Sequence, residues 1–330
     1  MMRLHGTLTA GWRGDLLALL AGALLPFAFA PFHLFPLAVI APALLYLTWL
    51  DTSPKRGFRR GWLFGLGMFG VGVSWVYVAI HVFGEAGILL AGFLTGLFVA
   101  LLSLFPALLG YTLVRFFARH TLTVKLLLIF PAAWVLFEWL RGWVLSGFPW
   151  LNLGYSQISA PLAGLAPILG VYGVSWTVAV SAGLLLYTIG ASNPYRWRAL
   201  VLLVLLWGVS TLLTSIAWTQ PHGKSLRVSL IQGNIPQEIK WQPEQRQRTL
   251  DLYADLTAQH WGDDLIIWPE AAITMFYHEV ADNYLARLGS EARQHNTDLI
   301  LGISVEDPET RRYYNSMMSI GHSEGFYFKR

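Results

Sequence analysis

Polar positions are sparse up to about residue 218, and the apolar ones gather in runs of roughly the 17–25 residues that cross a bilayer as a helix. Seven such runs are legible: 15–31, 33–50, 61–83, 87–114, 124–140, 162–190 and 199–218. The first is short and broken by proline, so it predicts a helical hairpin with the second. After residue 218 the pattern changes. "SLRVSLIQGN" (225–234) alternates and is rich in β-formers, which predicts a strand. Residues 243–260 place Leu250, Leu252, Tyr253 and Leu256 at helical spacing. "DLIIWPE" (264–270) and "DLILGISVE" (298–306) are apolar runs of the kind found in buried strands, with an amphipathic helix at 280–295 between them. "RRYYNSMMSIG" (311–321) and "EGFYFKR" (324–330) read as a β-hairpin turning at "GHSEG". The chain therefore predicts a membrane domain at 1–218 and an α/β domain with a mixed sheet from 219.

Composition sharpens the division. Of 330 residues, 55% are hydrophobic and 13% charged, about half the charged share of a soluble globular chain. Residues 1–218 carry 12 Lys/Arg and 4 Asp/Glu, net +8; residues 219–330 carry 11 and 15, net −4; together these give the overall +4. The basic residues lie between apolar runs, where they set topology, and are not a nucleic-acid footprint. Alternate inter-run segments hold eleven Lys/Arg, from Arg3 and Arg13 through "DTSPKRGFRR", "RFFARHTLTVK" and "SNPYRWR", against one in the intervening segments, Arg141. This asymmetry predicts a cytoplasmic N-terminus, and seven crossings put the α/β domain on the opposite, periplasmic side. A cleaved signal peptide ending in "AFA" (28–30) is disfavoured, because Pro31 would follow the cut and another apolar run comes directly after.

Candidate chemistry centres on "IIWPEAAI", where a carboxylate, Glu270, follows an apolar strand. Strands of α/β sheets deliver such groups to the sheet edge where sites form. The stretches "QGNIPQEIKW", "IIWPEAAI", "RRYYNSM" and "GFYFKR" resemble the first half of a carbon–nitrogen hydrolase (nitrilase-like) domain. Together with "FGVGVSWVYVAI" and "FEWLRGWVLSGFPWLNLGYSQ" in the apolar part, they resemble the bacterial apolipoprotein N-acyltransferase family over essentially the whole chain.

That resemblance implies a polytopic helical bundle of the inner membrane followed by the first part of an α-β-β-α sandwich. It implies acyl transfer from a phospholipid donor to the α-amino group of a diacylglyceryl-modified apolipoprotein, by ping-pong through a thioester on a Glu–Lys–Cys triad, without a cofactor. Residue by residue, Glu270 matches the general base and Lys329 the oxyanion-stabilising lysine. Trp241 matches a tryptophan that shapes substrate access, and Asn315 an asparagine that orders the site. The family's cysteine and a glutamate-bearing loop lie beyond the lysine, and the chain has no cysteine. The expectation is a front portion of a longer protein, silent by itself.

Other readings weigh less. Glu138 and Arg141, at i and i+3, could pair on one helix face, as an interfacial ion pair or toward a lipid head group. The loop 146–157 could gate lipid entry or form an aromatic belt. The nine histidines show no metal-binding spacing, so no metal is expected, and there is no P-loop or dinucleotide fingerprint. The glycines of "GWLFGLGMFGVGVSW" predict close helix packing. A membrane-tethered amidase of the same superfamily and a non-catalytic scaffold or binding protein are the alternatives.

Overall fold

The computed structural model describes residues 9–190 and 195–329; Arg3, residues 192–194 of the basic segment before the last apolar run, and Arg330 lie outside them. The chain divides into two compact units between Gln220 and Pro221.

The first unit is helical. Helices α1 (Gly11–Leu24, 14 residues) and α2 (Leu37–Trp49, 13 residues) pack against each other at its start. At 1.5 Å per residue each is about 20 Å long, less than a hydrocarbon core. Helix α3 (Pro54–Gly72) continues through a 54° bend into Trp75–Phe83. Among the described residues four further helices are long and apolar enough to cross a membrane: α4 (Ile88–Phe116), α5 (Leu122–Arg141), α6 (Pro161–Gly190) and α7 (Tyr195–Leu213). Leu25 and Ala28 are fully buried in the bundle core, so the first apolar run is integral to the fold.

Glycines do the packing that the sequence pattern predicts. On α3, Gly57, Gly61 and Gly65 recur every four residues, so they lie along one helix face. A Cβ on Gly57 would stand 2.9 Å from the Gly110 carbonyl oxygen, and one on Gly65 2.6 Å from the Ser103 Cα. Backbones this close gain dispersion contacts that larger side chains would forbid. A buried charge cluster pins the same region. The fully buried Arg60 bonds Asp15 Oδ1 at 3.2 Å and donates to the carbonyls of Thr48 and Thr9, while Arg59 also reaches Asp15. Such a cation is tolerated in an apolar setting because its donors meet acceptors.

The second unit is built on one six-stranded sheet, in the order β1 (Val228–Leu230), β2 (Leu265–Ile267), β4 (Asp298–Glu306), β5 (Tyr313–Ile320), β6 (Gly325–Phe328), with β3 (Ile273–Phe276) also pairing β4. β1, β2, β3 and β4 run parallel; β5 and β6 are antiparallel additions. The central strands carry the core: Ile266, Leu299, Leu301 and Ile303 are fully buried. Helix α8 (Arg246–Ala258) seats Leu250 and Tyr253 in this core, and α9 (Ala286–Gln294) adds Leu288 and Ala292. β1 is shorter than the alternation at 225–234 predicts. It is an edge strand with a partner on one side, and Leu230 is 76% exposed. β3 was not evident from the pattern, since its four residues follow Glu270 without any alternation of their own.

Candidate active site

Glu270 owes its position to the two residues before it. Trp268 is fully buried, donates its main-chain N–H to the Ile300 carbonyl at 2.8 Å and its indole Nε1–H to Thr257 Oγ1 at 2.9 Å, and stacks on Tyr253. This anchors the chain at the C-terminal end of β2. Pro269 then ends the ladder, and the chain turns outward at Glu270 and Ala271, with Ala271 in the left-handed region at φ 48°. Left-handed backbone at a residue with a Cβ costs about 1 kcal/mol or more and is held by its surroundings. The floor under this turn is Gly302 of β4. A Cβ there would stand 2.5 Å from the Ala271 nitrogen, 2.6 Å from the Pro269 oxygen and 2.8 Å from the Glu270 Cα.

Three of the four residues matched by resemblance come together. Lys329 Nζ lies 3.1 Å from Glu270 Oε1, and Asn315 Nδ2 donates to the same oxygen. The ladder between β5 and the end of β6 sets this arrangement, with the Lys329 N–H donating to the Asn315 carbonyl at 3.0 Å. The Glu270 and Lys329 side chains are 61% and 64% exposed. The hydrogen bond from Lys329, then that from Asn315, holds the Glu270 carboxyl below the usual carboxylate range. An ionised carboxylate beside an ammonium can accept a proton from an acidic donor and keep positive charge next to a developing oxyanion.

Trp241 makes no hydrogen bond or ring contact with this trio among the described residues. It is half exposed, and its ring lies under the Lys240 ammonium, 5.9 Å from the centroid. Lys240, at the end of the one-turn helix Gln237–Lys240, reaches the main-chain oxygen of Glu270 at 3.5 Å. Sequence reasoning passed over both Lys240 and Gly302. The signal for Gly302 was present: a lone glycine inside an apolar strand marks a close backbone approach.

The Glu138–Arg141 pair is not the ion pair its spacing allowed; among the described residues no salt bridge joins them. Each binds the following loop instead. Glu138 Oε1 accepts from the Leu153 N–H at 2.8 Å and from Trp134 Nε1 at 2.9 Å. Arg141 donates to the carbonyls of Phe148 (3.0 Å) and Trp150 and to Asn152 Oδ1 (2.6 Å). The pair thus fastens residues 148–153 to the end of α5. Among the described residues no three His, Cys, Asp or Glu side chains gather as metal ligands.

Comparison with known proteins covers both units. The family model of the apolipoprotein N-acyltransferase N-terminal domain matches residues 21–184, and that of carbon-nitrogen hydrolase matches residues 227–329. Apolipoprotein N-acyltransferase of Methylococcus capsulatus is 48% identical over 315 residues, 96% of this chain and 62% of the relative. That of Coxiella burnetii is 45% identical over 318 residues, covering 96% and 65%, and that of Pseudomonas syringae 42% over 325 residues, covering 97% and 64%. The chain spans just under two thirds of the length of these curated relatives. With both of its units matched in this order, the chain belongs to the apolipoprotein N-acyltransferase family.

Proposed function

We propose that this chain supplies the membrane domain and two of the three reacting groups of an inner-membrane enzyme that N-acylates lipoproteins. The observation that carries the reading is the convergence of Glu270, Lys329 and Asn315 on one carboxylate oxygen. The thiol comes from outside these 330 residues, which contain no cysteine. Glu270 takes the thiol proton, and the thiolate attacks the ester carbonyl of a phospholipid. Lys329 steadies the oxyanion. The carbon–oxygen bond breaks, and the lysophospholipid alkoxide leaves with the proton from Glu270. In the second half, the α-amine of the diacylglyceryl-modified cysteine attacks the thioester, gives a proton to Glu270, and releases the thiol. Asn315 orients Glu270, and Trp241 borders the approach. The Lys/Arg asymmetry supports a cytoplasmic N-terminus with the sheet unit in the periplasm, where both lipid-anchored substrates reside.

The test uses the protein at its relatives' full length, in nanodiscs of phospholipid labelled in the acyl chain, with a synthetic diacylglyceryl-cysteine peptide. Label should pass to the peptide's amine, and Glu270→Gln should slow this by about 10²–10⁴-fold. Absence of amide product from the unaltered protein would refute the reading. A near-normal rate for the variant would show that another carboxylate is the base.

A further inference from the structure

We infer that Lys240 is a specificity residue of this site, binding the phosphate of the acyl donor's head group while Glu270 and Lys329 act on the neighbouring ester. The inference rests on the proposed phospholipid donor and adds a group to its recognition.

Charge balance is the first argument. Two ammonium groups flank Glu270: Lys329 on the carboxylate and Lys240 on the main-chain oxygen. One carboxylate balances one of them. Lys240 takes part in no salt bridge among the described residues; its ammonium makes one hydrogen bond there, to that carbonyl at 3.5 Å. An ammonium carries three donors, so Lys240 keeps two for a ligand.

Geometry is the second. Lys240 is half-buried at the end of a one-turn helix, and the exposed ring of Trp241 lies against it. The ammonium therefore has partners on both sides of it next to the base: the Glu270 carbonyl and the Trp241 ring. In a glycerophospholipid the phosphate sits only a few bonds from the ester that is cleaved. A ligand whose ester carbonyl faces Glu270 and Lys329 brings its phosphate within the span of a single neighbouring side chain. An ammonium suits a phosphate as a point charge, and the indole offers an apolar wall to the glycerol beside it.

The experiment measures binding to the intact 330-residue chain in maltoside detergent, which contains no phosphate, by ligand-observed NMR. The probes are dihexanoylphosphatidylethanolamine, the uncharged dihexanoylglycerol, and inorganic phosphate. Lys240→Met and Lys240→Gln should weaken phosphatidylethanolamine binding about tenfold, as expected for one charge-assisted hydrogen bond, and leave dihexanoylglycerol unchanged. Lys240→Arg should keep the affinity. Equal loss for both lipids would make Lys240 a support of the Glu270 turn and overturn the inference, as would no loss for either or no binding by the unaltered chain. Inorganic phosphate binding as tightly as the phospholipid would overturn the head-group assignment in favour of a free anion. Because no transfer is measured, a failed acyl-transfer assay and a failed Lys240 assay remain separate results.

Discussion

Lys329 and Glu270, 59 positions apart in sequence, meet at 3.1 Å across the sheet. Their contact, with the Asn315 bond beside it, keeps the Glu270 carboxyl ionised to lower pH than a free glutamate. The sign follows from linkage. A carboxyl whose folded pKa lies below its unfolded value stabilises the fold above the unfolded pKa, and that contribution is lost as pH falls through the folded one. Glu270 is largely exposed, so solvent screens the effect on stability and the clearer readout is the titration itself. Lys329→Met and Asn315→Ala should each raise the Glu270 carboxyl pKa, more for Lys329, as followed by NMR of labelled glutamate carboxyls. An unmoved titration in both variants would disprove the contact.

Gly302 should be intolerant of even one methyl. Its Cβ would lie 2.5–2.8 Å from the Pro269–Ala271 backbone, so Gly302→Ala must push the Glu270 turn outward. Overpacking of this kind costs about 1–3 kcal/mol. A displacement near 1 Å at a reacting group can cost about 10²-fold in rate. Acyl-enzyme formation by the full-length protein should therefore fall far more than thermal stability does. Equal, small losses in both would show that the turn accommodates the methyl.

Much of this was legible in the chain. The apolar run ending in Pro269 marked the strand and its exit, because the hydrophobic pattern alone places Ile266 in the core. The strand at 298–306 was readable to the residue, since its apolar run buries Leu299, Leu301 and Ile303 and leaves the alternate positions mostly half-buried. The meeting of Lys329, Asn315 and Glu270 came only from family resemblance: nothing local in "YFKR" says which distant carboxylate the lysine will face. Lys240 and β3 were invisible for a related reason. Both adjoin the turn at Pro269–Ala271, whose close approach to Gly302, more than thirty positions after Ala271, is set by tertiary packing and not by local pattern. The Glu138–Arg141 spacing put two opposite charges on one helix face, but could not show that the hydrogen bonds of each go to the loop that follows.

Glu138 should matter for the loop at 148–153. Glu138→Leu leaves the buried N–H of Leu153 and the Nε1–H of Trp134 without an acceptor, at about 1–3 kcal/mol for each unsatisfied group. Glu138→Gln keeps an oxygen for both donors and should lose much less. Thermal unfolding in detergent would separate the two, and protease should cut near Trp150 in the leucine variant first. Identical melting of the two variants would exclude a fastening role.

Topology offers a test that does not involve chemistry. If α1 and α2 form a hairpin that enters and leaves on one side, the bent α3 segment and the four longer helices give five crossings; if each of the first two runs crosses, there are seven. Both counts are odd and put the chain beyond Gln220 opposite the N-terminus. A periplasm-dependent reporter fused after Gln220 should be active, and one fused after Asp51 inactive, in line with the eleven-to-one distribution of Lys and Arg. The same side for both fusions would require an even number of crossings, with the bent helix re-entrant.

The 330 residues by themselves should form no acyl-enzyme. A base and an oxyanion stabiliser lower the barrier for a nucleophile but cannot replace it, and there is no cysteine in the chain. The hydroxyl that adjoins Asn315 in sequence does not substitute. Ser316, on the strand beside Asn315, is buried, and its Oγ is directed to the Tyr314 carbonyl at 3.4 Å, not to Glu270. Incubated with labelled phospholipid and denatured in detergent, the chain should retain no label that hydroxylamine can release. Its Glu270 titration should nevertheless be the depressed one described above, because Lys329 and Asn315 are both present. Label held by an ester or thioester on this chain would mean that a hydroxyl is the nucleophile, and the assignment of Glu270 and Lys329 as partners of a thiol would fall with it.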